Sequence, residues 1–283
     1  MFLVVGANSE IGSATARLMR RQGKRVIATT RRRPANSDEV LLDLSEPIEN
    51  FTIPEGVRCA CIFVAVARLA ACEADPTGSA HINVRQSIAL VDRFAAGGIY
   101  TLFLSTNQVF NGDHLRVLAH TPVSPISEYG RQKAHAEQLL QARMSNGAPV
   151  GILRLAKVVS PGMSLLTTWK RELTAGRPIL AFSDMTMAPT PVDIVAESIT
   201  RMMEDRLSLI AQLTGPRDVT YAEVGRFIAE RLGTSPGLVR PINALDNGMP
   251  RGSTPRNTTL DSSLLLMRYG LRAPDALDVV SEL

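Results

Sequence analysis

The sequence predicts an α/β fold, a doubly wound parallel sheet with a smaller lobe appended. Three observations carry this. Short apolar runs alternate with amphipathic segments through the first half of the chain. The first run opens through a glycine-bearing turn into a helix. After about residue 155 the pattern loosens into shorter helices set among Gly, Pro and polar residues. Apolar runs that are continuous rather than alternating mark strands covered on both faces, as in a parallel sheet.

The elements follow in order. Residues 2–5 (Phe-Leu-Val-Val) form the first strand. Residues 11–22 place Ile11, Ala14, Leu18 and Met19 at helical spacing, and Gly23 ends that helix. Residues 25–30 are rich in β-branched side chains and make the second strand, 40–42 a short third and 60–66 a fourth. A helix over 80–96 stops at Gly97-Gly98, a fifth strand covers 100–105, a long helix 127–144 and a sixth strand 150–155. Helices over 167–175, 193–204 and 221–232 follow. The expected division is a dinucleotide-binding domain over 1–155 and a substrate lobe over 156–283, with some segments crossing between them. That lobe is expected to cap the first rather than build a core of its own.

Composition narrows the function classes. With 283 residues, 45% hydrophobic and 20% charged, the chain can bury a core without metals or disulfides. Its net charge of +4 is local: residues 11–37 hold eight Arg and Lys and no acid, while elsewhere 23 bases face 27 acids. One basic pole beside a turn suits a small phosphate ligand, not the broad basic face of a nucleic-acid binder. Cys59, Cys61 and Cys72 make no disulfide framework or paired zinc motif, and are expected to be buried and reduced. His81, His114, His120 and His135 show no metal-ligand spacing, so no metal is expected. No basic segment precedes the first apolar run, and the longest apolar stretch, 59–72, is too short for a bilayer. The expectation is a cytoplasmic protein with no membrane partner.

The first strand leads into Gly6-Ala7-Asn8-Ser9-Glu10-Ile11-Gly12 and then a helix. The free N–H groups and partial positive charge of such a helix start suit a pyrophosphate. An ordinary strand-to-helix turn has the same local pattern, and Ser9 stands where the stricter fingerprint has glycine. The second strand ends in Arg31, Arg32 and Arg33, where NAD sites carry an acid for the ribose 2′-hydroxyl. Guanidinium groups pair with a 2′-phosphate, so NADP(H) is preferred, with NAD(H) the alternative.

Tyr129 and Lys133 lie four apart, on one face of a helix. The ammonium, together with the positive nicotinamide of a bound cofactor, is expected to lower the phenol pKa and fit it for proton transfer to a sugar or alcohol oxygen. Thr106 ends the fifth strand, where its hydroxyl can hold the substrate oxygen. Gly6 to Gly12, Asp43-Leu44, the run from Ala71 to Val84, Ser105-Thr106, Val109-Phe110 and Tyr129 to Lys133 occur in the order found in extended short-chain dehydrogenases/reductases. The chain most resembles the dTDP-4-dehydrorhamnose reductases and related sugar-nucleotide reductases and epimerases, over nearly its whole length.

The resemblance implies roles by position. Gly6, Asn8, Ser9, Ile11 and Gly12 would hold the cofactor diphosphate, Arg31 and Arg32 its 2′-phosphate, and Asp43 with Leu44 its adenine end. Ala65, Val66 and Ala67 would lie along the cofactor, and Asn83 would brace the helix behind it. Thr106, Tyr129 and Lys133 would be catalytic, with Tyr129 and Lys133 also touching the cofactor. Gln108, Val109 and Phe110 would meet the substrate. Arg154, Arg251 and Arg256 are candidates for its diphosphate, and Trp169 for its pocket. The sugar-nucleotide dehydratases of this superfamily carry Asp-Glu after the threonine. Here Asn107-Gln108 supplies two amides, which cannot do that proton work. The leading expectation is NADPH-dependent reduction of a keto group on a nucleotide-activated sugar. The alternatives are a C4 epimerase and a non-catalytic, cofactor-binding regulatory subunit. The resemblance also implies a homodimer, paired through helices 80–96 and 127–144.

Overall fold

The computed structural model describes residues 1–250 and 252–281. Seven strands form the central sheet: β1 (Phe2–Val5), β2 (Val26–Thr30), β3 (Glu39–Leu41), β4 (Cys59–Ile62), β5 (Tyr100–Thr106), β6 (Val150–Leu155) and β7 (Ile210–Leu213). Their order is β3-β2-β1-β4-β5-β6-β7 and every pairing is parallel. The order reverses between β1 and β4, which opens a crevice at their carboxyl ends. The registers Val5 with Ile62 and Thr106 with Leu155 bring four strand ends to that edge.

The continuous apolar runs are explained by cover on both faces. Leu3, Val5, Ala60, Ile62 and Phe103 point to one side, under helices α2 (Ser87–Ala96) and α3 (Glu128–Ser145). Val4, Cys59, Cys61, Leu102 and Leu104 point to the other. There they meet α1 (Glu10–Arg21) and α4 (Val192–Glu204), whose Met19, Val195, Ile199 and Met203 are buried. All three cysteines are free and buried.

Three expectations change. The fourth strand ends at Ile62 rather than Val66, because the next residues leave the sheet and Val66 bonds to Asn83 instead of a neighbouring strand. The helix expected over 80–96 begins earlier, at Pro76 after the Asp75 cap, and loosens to a π-helical stretch, His81–Gln86. The seventh strand went unread, since Ile-Ala-Gln-Leu is short and a buried Gln212 breaks its apolar run.

The second half also has a core of its own, contrary to expectation. Strands Ile179–Phe182 and Val239–Ile242 pair in parallel, covered by helices Ser164–Thr174, Tyr221–Arg231 and Ala276–Ser281. Leu166, Trp169, Leu173, Val224, Ile228, Val239 and Val280 pack between them. Segments do cross residue 155: α4 packs on the large sheet and β7 is its edge strand, though both follow that point in the chain.

Candidate active site

A cleft of about 560 Å³ opens where β1, β4, β5 and β6 end. Its floor is the turn after β1. Gly6 sits at φ +92°, a conformation that glycine alone adopts without strain, and its N–H donates to Thr29 Oγ1 at 2.9 Å. Ser9 caps α1: its Oγ accepts from the Gly12 N–H at 3.1 Å and donates to the Gly6 carbonyl at 2.8 Å. A Cβ on Gly12 would lie 2.6 Å from that carbonyl, so the turn stays tight. The amides of Glu10 and Ile11 are left without an intrahelical partner and face the cleft with the positive end of the helix. This cradle fits a diphosphate.

Ala65 and Ala67 line the wall beyond β4. Val66 between them is turned away. Its N–H donates to Asn83 Oδ1 at 2.8 Å, and its carbonyl accepts from Asn83 Nδ2 at 3.0 Å. Asn83 is fully buried on the π-helical stretch and also donates to Gln132 on α3 at 2.7 Å. It therefore ties the cleft wall to the helix that carries Tyr129 and Lys133.

That helix starts at a fixed place. Ser127 caps it, accepting from the Gly130 N–H at 3.1 Å, and a side chain on Gly130 would collide with the Gln108 carbonyl. Only glycine lets α3 sit this close to the turn after β5. Tyr129 and Lys133, one turn apart, line the cleft with Thr106. Thr106 Oγ1 accepts from the Gln108 N–H at 3.2 Å and donates to Asn107 Oδ1 at 3.4 Å.

Lys133 is 3% exposed, with its ammonium 3.9 Å from the centre of the Phe103 ring. It makes no hydrogen bond or ion pair among the described residues, and burial pushes its pKa down to about 7 against the raising pull of Glu137. Such an ammonium suits ribose hydroxyls. Burial, with a smaller effect from the Cys72 thiol, holds the Tyr129 phenol above its ordinary range. In the protein alone, desolvation outweighs any lowering by Lys133.

Other expected residues are distributed unevenly. Ser9, Ile11 and Gln108 line the cleft. Asn8, Arg31, Arg32 and Asp43 lie outside its walls. Arg31 and Arg32 are exposed and make no ion pair among the described residues. Asp43 accepts from the Ser45 N–H and hydroxyl at 2.9 and 2.8 Å. The Ser45 backbone bond, helped by the Arg31 charge, keeps its carboxyl below the usual range. Leu44 is buried in the core under the sheet and offers a ligand no side chain.

Four substrate candidates are corrected. Val109 and Phe110 pack behind the cleft against Ala134 and Leu260. Arg154 is 1% exposed and bound to Glu137, so it has no free guanidinium for a diphosphate. Trp169 is in the core of the second lobe, edge-on to Tyr221 at 6.5 Å. Arg251 lies outside the described residues, and Arg256 is exposed.

The cleft also has walls the sequence reading missed: Glu10, Lys157, Met185, Met187, Tyr221 and Thr258. Met185, Thr186 and Met187 all line it, around the short strand Thr186–Met187. Lys157 had no local signal. It follows β6, is pushed down in pKa by burial, and is countered by Glu10, whose carboxylate accepts from Ser160. Among the described residues no group of three metal-ligating side chains occurs, and no helix is long and apolar enough to cross a membrane.

This sheet order, with a dinucleotide turn after β1 and the tyrosine–lysine helix after β5, is the plan of the extended short-chain dehydrogenases/reductases, NAD(P)-dependent oxidoreductases, and the chain is of that class. Within it, the family model of the RmlD substrate binding domain matches residues 1–282, and the chain belongs to that family. It is 25% identical over 296 residues to a probable low-salt glycan biosynthesis reductase, Agl14, of Haloferax volcanii, covering 99% of this chain and 96% of the relative. It is 26% identical over 243 residues to a dTDP-4-keto-6-deoxy-D-glucose reductase of Streptomyces niveus, covering 85% and 82%. Among solved structures, MoeE5 in complex with UDP-glucose and NAD superposes with a TM-score of 0.83 at 22% identity, covering 99% of this chain and 96% of that one.

Proposed function

We propose that this chain reduces a keto group on a nucleotide-activated sugar, with NADP(H) as the preferred cofactor. The observation that carries the reading is the convergence of Thr106, Tyr129 and Lys133, the last without a partner among the described residues, on the cleft that Ser9, Glu10 and Ile11 of the first turn also line. The Streptomyces niveus relative, a keto-sugar nucleotide reductase, supports the substrate class. Exposed Arg31 and Arg32 at the end of β2 support the 2′-phosphate preference.

When bound, the cofactor supplies hydride to the carbonyl carbon. Tyr129 donates the proton from its Oη to the carbonyl oxygen. Burial keeps that phenol protonated near neutral pH, the state a proton donor needs. Lys133 offers three donors to the nicotinamide ribose. Thr106 orients the substrate oxygen by turning its hydroxyl away from Asn107. Asn107 and Gln108, as amides, leave the turn without the acid and base that dehydration requires. The test is NADPH consumption against a panel of dTDP- and UDP-linked 4-keto-6-deoxy sugars. Stoichiometric oxidation with one of them is expected. Turnover of a nucleotide sugar without net NADPH loss would point to an epimerase.

A further inference from the structure

Arg154, Glu137, Ser105 and Gln212 form a buried polar cluster that the proposed reaction does not use. Ser105, Arg154 and Gln212 stand side by side in register across β5, β6 and β7, beneath α3. Glu137 reaches down from α3 with no exposure at all. Arg154 Nε donates to both Glu137 oxygens at 3.0 and 3.2 Å, and Nη2 to Oε2 at 2.6 Å. Ser105 donates a further bond to Oε1. Arg154 Nη1 goes to the Ala119 carbonyl at 3.0 Å and to Gln212 Oε1 at 3.1 Å, and its guanidinium faces the Phe110 ring at 5.0 Å.

Lys133 and Glu137 are one turn apart on α3, a spacing at which lysine and glutamate ordinarily pair. In a dry interior that attraction is stronger than at a surface. Yet Lys133 makes no bond to Glu137, because both carboxylate oxygens are taken from below. We propose that Arg154 is a positioning residue for the cleft: it occupies Glu137 and so leaves the Lys133 ammonium unpaired and available to a ligand's hydroxyls. The charged or ionisable groups around Lys133 are Tyr129 and Glu137 on its own helix, Arg154 on β6, and Glu10 and Lys157 lining the same cleft. Glu137 is the one whose charge acts on Lys133, and burial opposes it.

The inference rests on the reading of Lys133 as a cofactor contact, and its test separates the two. NADPH affinity is measured by fluorescence, and Lys133 titration by NMR of ¹³Cε-labelled lysine without nucleotide. In Arg154→Met the freed Glu137 captures Lys133. NADPH binding weakens about tenfold, and Lys133 titrates toward its ordinary range. Adding Glu137→Gln to Arg154→Met releases Lys133, restores NADPH affinity to near the parent value and brings the Lys133 titration back down to the parent's or below it, a rescue that a merely structural role of Arg154 would not give. Unchanged titration in Arg154→Met, or a double variant no better than the single, would overturn the proposal. Should Arg154→Met fail to fold, Glu137→Gln alone decides: NADPH affinity within about twofold of the parent supports the proposal, and lost binding refutes it. If the parent protein binds no NADPH, the cofactor reading fails while the Lys133 titration still judges the Arg154 inference.

Discussion

Lys133 and Arg154 are two cations buried to almost the same degree, 3% and 1% exposed, on opposite sides of one helix–sheet interface. Arg154 has every direction of its guanidinium occupied by a carboxylate, a carbonyl, an amide or a ring. Among the described residues, Lys133 has only the face of Phe103. Burial of a charge is costly unless it is paired, so a paired one reads as architecture and an unpaired one at a cleft reads as a waiting contact. From sequence Lys133 stands in a motif, whereas Arg154 is a candidate only by its charge and its place in the chain. The difference between them is which one the fold has already satisfied.

The same contrast runs through the aromatic and hydroxyl candidates, and the predictions break or sharpen it. Tyr129, at the cleft, is expected to carry rate and not stability. Tyr129→Phe should lower turnover of a keto-sugar nucleotide by about 10²–10⁴-fold, with NADPH affinity nearly unchanged. Retained turnover would remove Tyr129 as the proton donor. Trp169, buried in the second core, is expected to do the reverse. Trp169→Ala should cost about 3–5 kcal/mol in denaturant unfolding with little effect on nucleotide affinity. A loss of affinity with unchanged stability would return it to the substrate wall.

A smaller effect separates Lys133 from ordinary lysines. Its folded pKa, near 7, is below the ordinary 10.5, so above pH 7 the unfolded chain binds more protons through this residue. Its penalty is full below about pH 7 and is relieved as pH rises toward 10.5. Stability of the parent should therefore climb between pH 7 and 9.5 relative to Lys133→Met. Parallel profiles would mean that Lys133 is solvated or paired.

Much of the fold was legible because it is written in local pattern. Six strands, the α1 turn and the helix carrying Tyr129 and Lys133 follow from apolar runs, glycines and a four-residue spacing. What was not legible depends on distant pairing. Arg154 looked free because Glu137 is 17 positions away and Gln212 is 58. Trp169 looked available because the second core is assembled from helices and strands spread from Ser164 to Ser281. Lys157 went unnoticed because a single lysine after a strand carries no local signal, and only the cleft brings it to Glu10.

In the proposed complex the Gly6–Gly12 turn and Lys133 hold a reduced pyridine nucleotide whose 2′-phosphate meets Arg31 and Arg32. Titrating the protein with NADPH and NADH, alongside an Arg31→Ala/Arg32→Ala variant, tests it directly. Saturable binding with NADPH favoured is expected, with a preference that falls about tenfold or more in the variant while NADH affinity holds. Absence of binding by either nucleotide would contradict it outright, and equal affinities in the parent protein would contradict the role given to the arginines.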